Sequence, residues 1–298
     1  MRTLVAALAL ALAASPSLAA VTAVDLANYR LTATYALPLP SASEASAVTW
    51  NWDNGNLFVL GDEGDALVEV NRSGALVSQM TLTGFDDTEG IAYAGNGRFV
   101  ITEERLQDAY ELTYTAGGSV ARGSLPSVSL GPTIGNIGIE GIAYERATGG
   151  FLAVKEKSPQ AVYQVALDFG AGGSVIPTSL FSPAALAALD LSDIAVLSNV
   201  SSLAGTADAN GLLIYSQESA KLFEVGRDGA VRSTFSLAGI SDSAEGVTID
   251  ADGVIYIVDE TPNLYVLTPV PEPGTYALMA AGLGVVGWYA RARCREHR

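Results

Sequence analysis

Short apolar runs separated by polar turns containing Gly, Asn or Asp recur along most of the chain. The fullest example is residues 137–165, IGIEGIAYERATGGFLAVKEKSPQAVYQV. A Glu-Gly pair opens the first apolar run, a Gly turn follows, a second run ends in acidic residues, and a third run contains Tyr. Apolar runs of this length bounded by turn residues are typical of β-strands. The segment therefore predicts three successive short strands.

This unit is repeated along the chain. Clear copies begin near Phe85, FDDTEGIAYAGNGRFVITEERLQDAYEL, and near Ser241, SDSAEGVTIDADGVIYIVDETPNLYVL, and diverged copies span residues 46–82 and 201–237. In the fourth copy the first strand is expected at residues 201–205. Five copies of a unit of roughly 40 to 50 residues, each with three or four strands, indicate radial repetition in an all-β protein, a β-propeller.

The number of copies favours five blades. Six remain possible if the N-terminal strand and an irregular linker form another blade. The strand predicted at residues 28–39 is expected to complete the last blade beside residues 264–267 and so to close the ring. A short helix is expected in residues 182–191, SPAALAALDL. A β-sandwich is the structural alternative, because strand spacing alone does not separate the two folds.

The two ends of the chain have a different composition. Residues 1–20 combine a basic start, an apolar run and small residues, as a secretory signal peptide does. Residues 21–269 would then form the propeller domain. In residues 270–298 a Pro-Glu-Pro motif precedes a short apolar segment, predicted to be a transmembrane helix, and an Arg cluster. A weak membrane anchor is one interpretation of this tail.

The tail also resembles the PEP-CTERM sorting signal. That resemblance implies an exosortase-type membrane protease as a partner, with membrane contact only through the tail before processing. It implies transient anchoring in the inner membrane and release to the periplasm, the cell surface or an exopolysaccharide matrix.

Composition restricts the available chemistry. The only cysteine, Cys294, and the only histidine, His297, both lie in the tail. The predicted domain therefore lacks the residues needed for Ser-His-Asp or Cys-His catalysis within one chain. The net charge of −16 disfavours nucleic acid as a partner and favours cations such as calcium.

The first strand of each propeller blade lines the central channel, so the Glu-Gly pairs are expected to converge there. Glu89, Glu140 and Glu245 occupy this position, whereas Ser46 and Leu203 are expected at the equivalent positions of the other two copies. Converging carboxylates repel one another unless a cation lies between them or their pKa values rise. The Gly after each Glu permits close backbone approach. The alternative is that Glu-Gly is only a repeated turn into a strand.

A second acidic position follows the second strand of every copy. It would either accept hydrogen bonds at a strand-to-turn corner or form an acidic rim that holds calcium. Lys155 and Lys157 flank one member of the set and Arg105 lies near another, so part of the charge could be neutralised locally. The members are Asp62 or Glu63, Glu103, Glu156, Glu218 and Glu260.

Three segments, EGIAYERATGGFLAVKEKSPQAVYQV, AEGVTIDADGVIYIVDETPNLY and LLIYSQESAKLFEV, together resemble the SdiA-regulated, YjiK-like propeller family. The resemblance covers residues 31–267, and the run VKEKSP is its most specific part. It implies a periplasmic or surface propeller with suspected calcium association and no agreed enzymatic activity. It points to the same glutamates: Glu89, Glu140, Glu245, Glu103, Glu156, Glu218 and Glu260.

Three functions are consistent with these patterns. The first is a calcium-associated binding or structural module at the cell surface or in an exopolysaccharide matrix. The second is a calcium-dependent hydrolase, phytase-like or lactonase-like, in which a channel carboxylate acts as general base. The third is a scaffold for a protein or glycan, such as exopolysaccharide, with Trp50 and Trp52 as candidates for stacking on sugar.

Overall fold

The computed structural model describes residues 21–270 of the chain as five β-sheets with short 3₁₀ turns between some of the strands. The strands are β1 (Tyr29–Ala36), β2 (Ala45–Asn51), β3 (Asn56–Gly61), β4 (Ala66–Val70), β5 (Leu76–Thr83), β6 (Thr88–Gly95), β7 (Arg98–Glu103), β8 (Asp108–Thr113), β9 (Ser119–Ala121), β10 (Ser127–Ser129), β11 (Ile139–Glu145), β12 (Gly150–Lys155), β13 (Ala161–Val165), β14 (Thr178–Phe181), β15 (Asp193–Val196), β16 (Leu212–Ser216), β17 (Lys221–Val225), β18 (Val231–Ser236), β19 (Ala244–Ile249), β20 (Ile255–Asp259) and β21 (Asn263–Pro269). The 3₁₀ turns are Leu26–Asn28, Arg122–Ser124, Pro183–Leu186, Leu197–Asn199, Ser201–Leu203 and Asp208–Asn210.

The sheets are the five blades of a β-propeller, which confirms the predicted fold and blade number. In chain order, the blades begin with the innermost strands β2, β6, β11, β15 and β19, and every blade contains four antiparallel strands. The first blade gains a fifth strand, β9, which pairs in parallel with β5. Neighbouring innermost strands contact one another in sequence, and β19 contacts β2, so the ring is closed around a central axis.

The N-terminal strand completes the last blade. Strand β1 pairs antiparallel with β21, and Tyr35 lies opposite Leu264. Tyr29 at the start of β1 is 1% exposed, and its hydroxyl donates a hydrogen bond to the Gly253 carbonyl at 2.9 Å. The last blade thus combines both ends of the domain, as the sequence predicts.

The hydrophobic core is divided among the junctions between blades. Five separate clusters of buried apolar residues lie between the five pairs of neighbouring blades. A twisted sheet is apolar on both faces when each face packs against another sheet, which explains the short, continuous apolar runs of the sequence. Burial between blades therefore stabilises the ring as a whole.

Two sequence predictions about the fourth blade are wrong. Its innermost strand is β15, Asp193–Val196, whereas the residues predicted to form that strand begin with the 3₁₀ turn Ser201–Leu203. The helix predicted in residues 182–191 is only the single 3₁₀ turn Pro183–Leu186. Ala187 follows that turn with a positive φ of 50°, which ends it before an α-helix can propagate.

Within residues 21–270 no helix is long and apolar enough to cross a membrane. The predicted signal peptide and the sorting tail, including its predicted transmembrane segment, lie outside these residues.

A candidate cation-binding cup on the propeller axis

The starts of the innermost strands meet at one end of the axis. In three blades the Glu of the Glu-Gly pair is the extra residue of a β-bulge in the innermost strand: the register shifts between Thr88 and Gly90, between Ile139 and Gly141, and between Ala244 and Val247. A bulge bends the strand and re-aims the side chain of the extra residue. Ser46 occupies the bulge in the first blade.

The glycine after each glutamate is required by the close approach of neighbouring blades. A Cβ atom on Gly90 would lie 2.8 Å from the Glu140 carbonyl oxygen, and one on Gly246 would lie 2.9 Å from the Ala47 Cα. Both distances are shorter than a normal van der Waals contact. The predicted role of these glycines in close backbone approach is therefore confirmed.

The fourth blade departs from this pattern at both positions. Strand pairing places Ser192 where the other blades have Glu, and Asp193 where they have Gly, because Asp193 pairs with Tyr215 as Gly141 pairs with Val154. Leu203, which the sequence places here, instead lies buried in the core between the fourth and fifth blades. The signal for the correct alignment is the run Leu191-Ser192-Asp193-Ile194, which matches Ala244-Glu245-Gly246-Val247 in its apolar positions.

A second set of polar residues follows the second strand of each blade. Four of them have a backbone N–H that donates to the carbonyl two residues before the bulge position of the same blade: Asp62 to Glu44, Glu104 to Asp87, Glu156 to Gly138 and Glu260 to Ser243. In the fourth blade the N–H of Gln217 donates to the Ser192 hydroxyl at 2.9 Å. The bulge position and the position after the second strand together supply eight side chains with a carboxyl or an amide group. We call this set the acidic cup: Glu89, Glu140, Glu245, Asp62, Glu104, Glu156, Gln217 and Glu260.

The structure thus places Glu104 and Gln217, rather than Glu103 and Glu218, at the second position. Glu103 is 1% exposed and accepts hydrogen bonds from Arg122 at 2.7 and 2.8 Å and from the Asp86 N–H at 2.9 Å. Glu218 is exposed at the rim, where it pairs with Lys157. Glu63 is exposed beside Asp62 and Glu44.

Three glutamates of the cup come together at the junction of the second and third blades. One carboxylate oxygen each from Glu104, Glu140 and Glu156 lies within 4.8 Å of the others. We call these residues the glutamate triad. Glu104 is fully buried, and its Oε1 accepts the Gly138 N–H at 2.6 Å. Its Oε2 is also buried and has no hydrogen-bond donor while Glu140 is ionised, whereas a protonated Glu140 would donate to Glu104.

An unpartnered buried carboxylate oxygen is costly, because it has lost its hydration without gaining a donor. The side chains of Glu140 and Glu156 offer only further carboxylate oxygens when ionised. A proton or a cation between these oxygens removes the deficit. The Oε2 of Glu104 therefore requires either a proton held by Glu140 or a cation, and a cation is the candidate ligand of the cup.

Burial and neighbouring carboxylates raise the pKa values of the three Glu-Gly glutamates. Burial, followed by the charge of Glu245, raises the pKa of Glu89 well above its usual value. Burial and the charge of Glu89 act in the same way on the pKa of Glu140. Burial, followed by Glu260, raises the pKa of Glu245 to about 8. The three Glu-Gly glutamates therefore share one poorly hydrated space, as the sequence predicts.

The side of the cup opposite the triad is partly neutralised by hydrogen bonds. The amide Nε2 of Gln217 donates to Glu245 Oε1 at 2.7 Å. Burial raises the pKa of Glu245, and the Ser46 hydroxyl lowers it in part. Glu260 is exposed. The triad differs from this side in containing the buried Oε2 of Glu104, which has no donor while its neighbours are ionised.

The floor of the cup is closed. Five β-branched residues, one per blade and each one position beyond the Gly position, are at most 3% exposed and separate the cup from an axial cavity of about 40 Å³ that extends to Trp50, Trp52 and Tyr93. They are Val48, Ile91, Ile142, Ile194 and Val247. Asp193 is buried beside them and accepts N–H bonds from Ile194 and Val247, each at 2.7 Å. Buried apolar side chains therefore close the axis below the cup.

Aromatic residues lie around the other end of the axis. Trp50 is 8% exposed and packs in the core between the fifth and first blades. Trp52 is half-buried and lies 4.5 Å from Tyr93 between ring centroids, with the Arg146 guanidinium 4.7 Å from its own ring. Both indole rings therefore pack against other side chains of this protein.

Basic residues near the cup differ in what they contact. Lys155 is buried, and its Nζ donates to the carbonyls of Ile137, at 2.7 Å, and Lys157. Arg105 pairs with Asp87 at 3.0 Å, outside the cup. Lys157 alone among these three reaches a cup carboxylate, at 2.5 Å from Glu156 Oε1.

The donor set of the cup is suited to a hard cation. It consists of carboxylate and amide oxygens, without the nitrogen and sulfur ligands that zinc and copper prefer. Ca²⁺ accepts six to eight such oxygens in a flexible geometry, so three glutamates with added water fit its needs. Glu104, Glu140 and Glu156 would hold the ion, and it would supply the positive charge that the buried oxygens lack.

Fold and site together define an all-β, five-bladed propeller with a cluster of carboxyl side chains at one end of its axis. The chain belongs to the SdiA-regulated family, whose model matches residues 22–268. Residues 269–293 match the PEP-CTERM protein-sorting motif. This motif marks the chain for export and for recognition and processing at the membrane by sorting machinery of the exosortase type.

Solved structures with a similar overall form include several enzymes. Glutaminyl cyclase of Myxococcus xanthus has 12% identity and a TM-score of 0.49, with 80% of this chain and 95% of that chain covered. A streptogramin B lyase has 11% identity and a TM-score of 0.45, covering 83% and 99%. Virginiamycin B lyase of Staphylococcus aureus has 13% identity and a TM-score of 0.37, covering 79% and 69%. Likenesses of this degree do not bear on the chemistry of the cup.

Proposed function

We propose that this chain is an exported β-propeller that binds calcium in its acidic cup and acts as a binding or structural module at the cell surface or in an exopolysaccharide matrix. The observation that carries the proposal is the buried Glu104 Oε2, which has no donor and lies in a triad with Glu140 and Glu156. The sorting motif supports the exported location. Millimolar calcium is available to extracellular modules, so a site of modest affinity would be filled there.

Calcium titration of the purified protein by calorimetry, with terbium luminescence as a second measurement, tests the proposal. The wild-type protein is expected to bind at the cup. The triple variant Glu104→Gln/Glu140→Gln/Glu156→Gln is expected to lose that site, because each substitution replaces a charged oxygen by a neutral amide.

The matched control removes three carboxylates elsewhere. Glu111 pairs with Arg98, and Asp168 and Asp228 follow the third strands of their blades, at the opposite strand ends from the cup. The variant Glu111→Gln/Asp168→Asn/Asp228→Asn has the same change in net charge and should bind calcium as the wild type does. Equal binding by the triad variant and the wild type would overturn the site assignment.

A calcium-dependent hydrolase, phytase-like or lactonase-like, is the second candidate. The observation in its favour is Glu245, across the cup from the triad, whose pKa of about 8 would keep a proton available at neutral pH for a general acid. Hydrolysis of a model phosphate ester or lactone that requires calcium and is lost in Glu245→Gln would support this function. A lack of turnover in a protein shown to bind calcium would leave the binding module as the function.

A further inference from the structure

Lys157 reaches the rim of the cup from the corner after the second strand of the third blade. Its Nζ lies 2.5 Å from Glu156 Oε1 and 2.7 Å from Glu218 Oε1. Its side chain is 33% exposed and that of Glu156 is 15% exposed, so the contact with Glu156 is only partly screened by water. The ammonium group therefore sits between a cup glutamate and a rim glutamate of the fourth blade.

Glu156 is also a member of the glutamate triad. A carboxylate that accepts a hydrogen bond from an ammonium at 2.5 Å binds a second cation less strongly, because the two positive charges repel. Lys157 and a divalent ion in the triad would share this one carboxylate. Lys155 also carries a charge close to all three triad carboxylates, but its Nζ donates to two backbone carbonyls and to no triad oxygen.

The second partner of Lys157 is held in place independently of the cup. The backbone N–H of Glu218 donates to both carboxylate oxygens of the buried Asp190, at 3.1 and 3.0 Å. This fixes the start of the Glu218 side chain at the rim. Lys157 thus has an anchored alternative acceptor to which it can move when its contact with Glu156 is replaced.

We propose that Lys157 is a tethered competitor that sets the calcium affinity of the cup by occupying Glu156, with Glu218 as its resting partner when the ion binds. This inference rests on the proposed function, because it concerns the same site. It assigns Glu218 the role of an anchor for Lys157, whereas the sequence predicts a metal ligand at this residue.

The experiment compares calcium affinity, measured by calorimetry, for wild type, Lys157→Gln and Lys221→Gln. Removing a unit charge next to a divalent ion at the protein surface changes the interaction by roughly 1 to 2 kcal/mol, so Lys157→Gln should bind calcium about tenfold more tightly. Lys221 has its Nζ over the Phe223 ring and makes no ion pair with the cup. The Lys221→Gln control has the same net charge and should stay within about twofold of the wild type.

Glu218→Gln provides a second test that does not depend on the Lys157 variant alone. In the wild-type background it leaves Lys157 with Glu156 as its sole acceptor and should weaken calcium binding. In the Lys157→Gln background it should have no effect, because there is no ammonium left to anchor. A direct ligand role for Glu218 would weaken binding in both backgrounds and would overturn the inference.

The outcomes separate this inference from the proposed function. If the wild type binds calcium and Lys157→Gln binds with the same affinity, the competitor role is overturned and the calcium site remains. Equal tightening in Lys157→Gln and Lys221→Gln would also overturn it, because the effect would then be one of net charge. Absence of calcium binding in every variant would overturn the proposed function itself.

Discussion

Asp193 of the fourth blade accepts a hydrogen bond from the backbone N–H of Val247 in the fifth blade, 2.7 Å away. Its other oxygen accepts the N–H of Ile194, also at 2.7 Å. Asp193 is 2% exposed and stands where the second, third and fifth blades have Gly. A side chain at this position therefore joins two innermost strands at the floor of the cup.

Replacing Asp193 should destabilise the ring. Asp193→Ala leaves two buried N–H groups without an acceptor, and we expect a loss of about 3 kcal/mol in the free energy of unfolding. Asp193→Asn should cost less, because its amide oxygen still accepts one bond. Urea denaturation measures both, with Asp242→Ala as the control, since Asp242 is exposed. Equal stability of Asp193→Ala and the control would contradict this role.

Glu103 and Glu104 are adjacent but should behave in opposite ways. Glu103→Gln removes one partner of the ion pair with Arg122 and should lower the free energy of unfolding by about 1 to 2 kcal/mol without changing calcium affinity. Glu104→Gln removes a charge from the triad and should weaken calcium binding about tenfold or more, with no loss of stability in calcium-free buffer. Thermal denaturation and calorimetric titration of the two variants make the comparison. Reversed effects would show that the register assigned here is incorrect.

The stability of the calcium-free protein should fall as the pH rises. The pKa of Glu245 is about 8 in the folded protein against 4.5 ordinarily, so between these values the folded state holds more protons than the unfolded state. For each extra proton held by the folded state, the free energy of unfolding falls by about 1.4 kcal/mol for every unit by which the pH rises. The contribution of the Glu245 proton to stability is fully present below pH 4.5 and is lost as the pH rises to about 8.

Melting temperatures at several pH values in that window, with a chelator and with millimolar calcium, test this dependence. Calcium should reduce the slope, because the ion replaces protons in the cup. Without calcium, Glu245→Gln should reduce the slope, to which the raised pKa values of Glu89 and Glu140 still contribute, whereas Glu111→Gln should leave it unchanged. If the stability of the calcium-free protein rose with pH over this range, the buried carboxyls of the cup would not be the dominant cause of its pH dependence.

Closure of the ring by β1 can be tested on two tyrosines of that strand. Tyr29 is 1% exposed, whereas Tyr35 is 38% exposed. Tyr29→Ala should cost about 3 to 5 kcal/mol in the free energy of unfolding, as truncation of a buried aromatic does, and Tyr29→Phe about 1 kcal/mol for the hydrogen bond to Gly253. Tyr35→Ala should cost less than half as much as Tyr29→Ala. Equal costs at the two positions, measured by urea denaturation, would be inconsistent with burial of Tyr29 in the closed ring.

The repeat made much of the fold predictable. Each blade needs apolar strands on both faces and a turn between them, so the strand and turn residues of a blade recur in the sequence. The Glu-Gly copies at Glu89, Glu140 and Glu245 identified three innermost strands, and the expected pairing of β1 with β21 followed from one unpaired strand at each end. The fourth blade departs from the repeat because Ser192-Asp193 replaces Glu-Gly, and because three 3₁₀ turns separate β15 from β16, so its innermost strand lies earlier in the sequence than the repeat predicts.

By itself, the sequence determined the number of blades, the convergence of the Glu-Gly carboxylates and the absence of thiol and imidazole chemistry from the domain. Only the tertiary structure decided which neighbouring acid faces the axis. Glu103 is the last residue of β7 and Glu104 the first beyond it, and successive side chains point to opposite faces. In the folded ring Glu103 therefore meets Arg122, whereas Glu104 lies in the cup with Glu140 and Glu156.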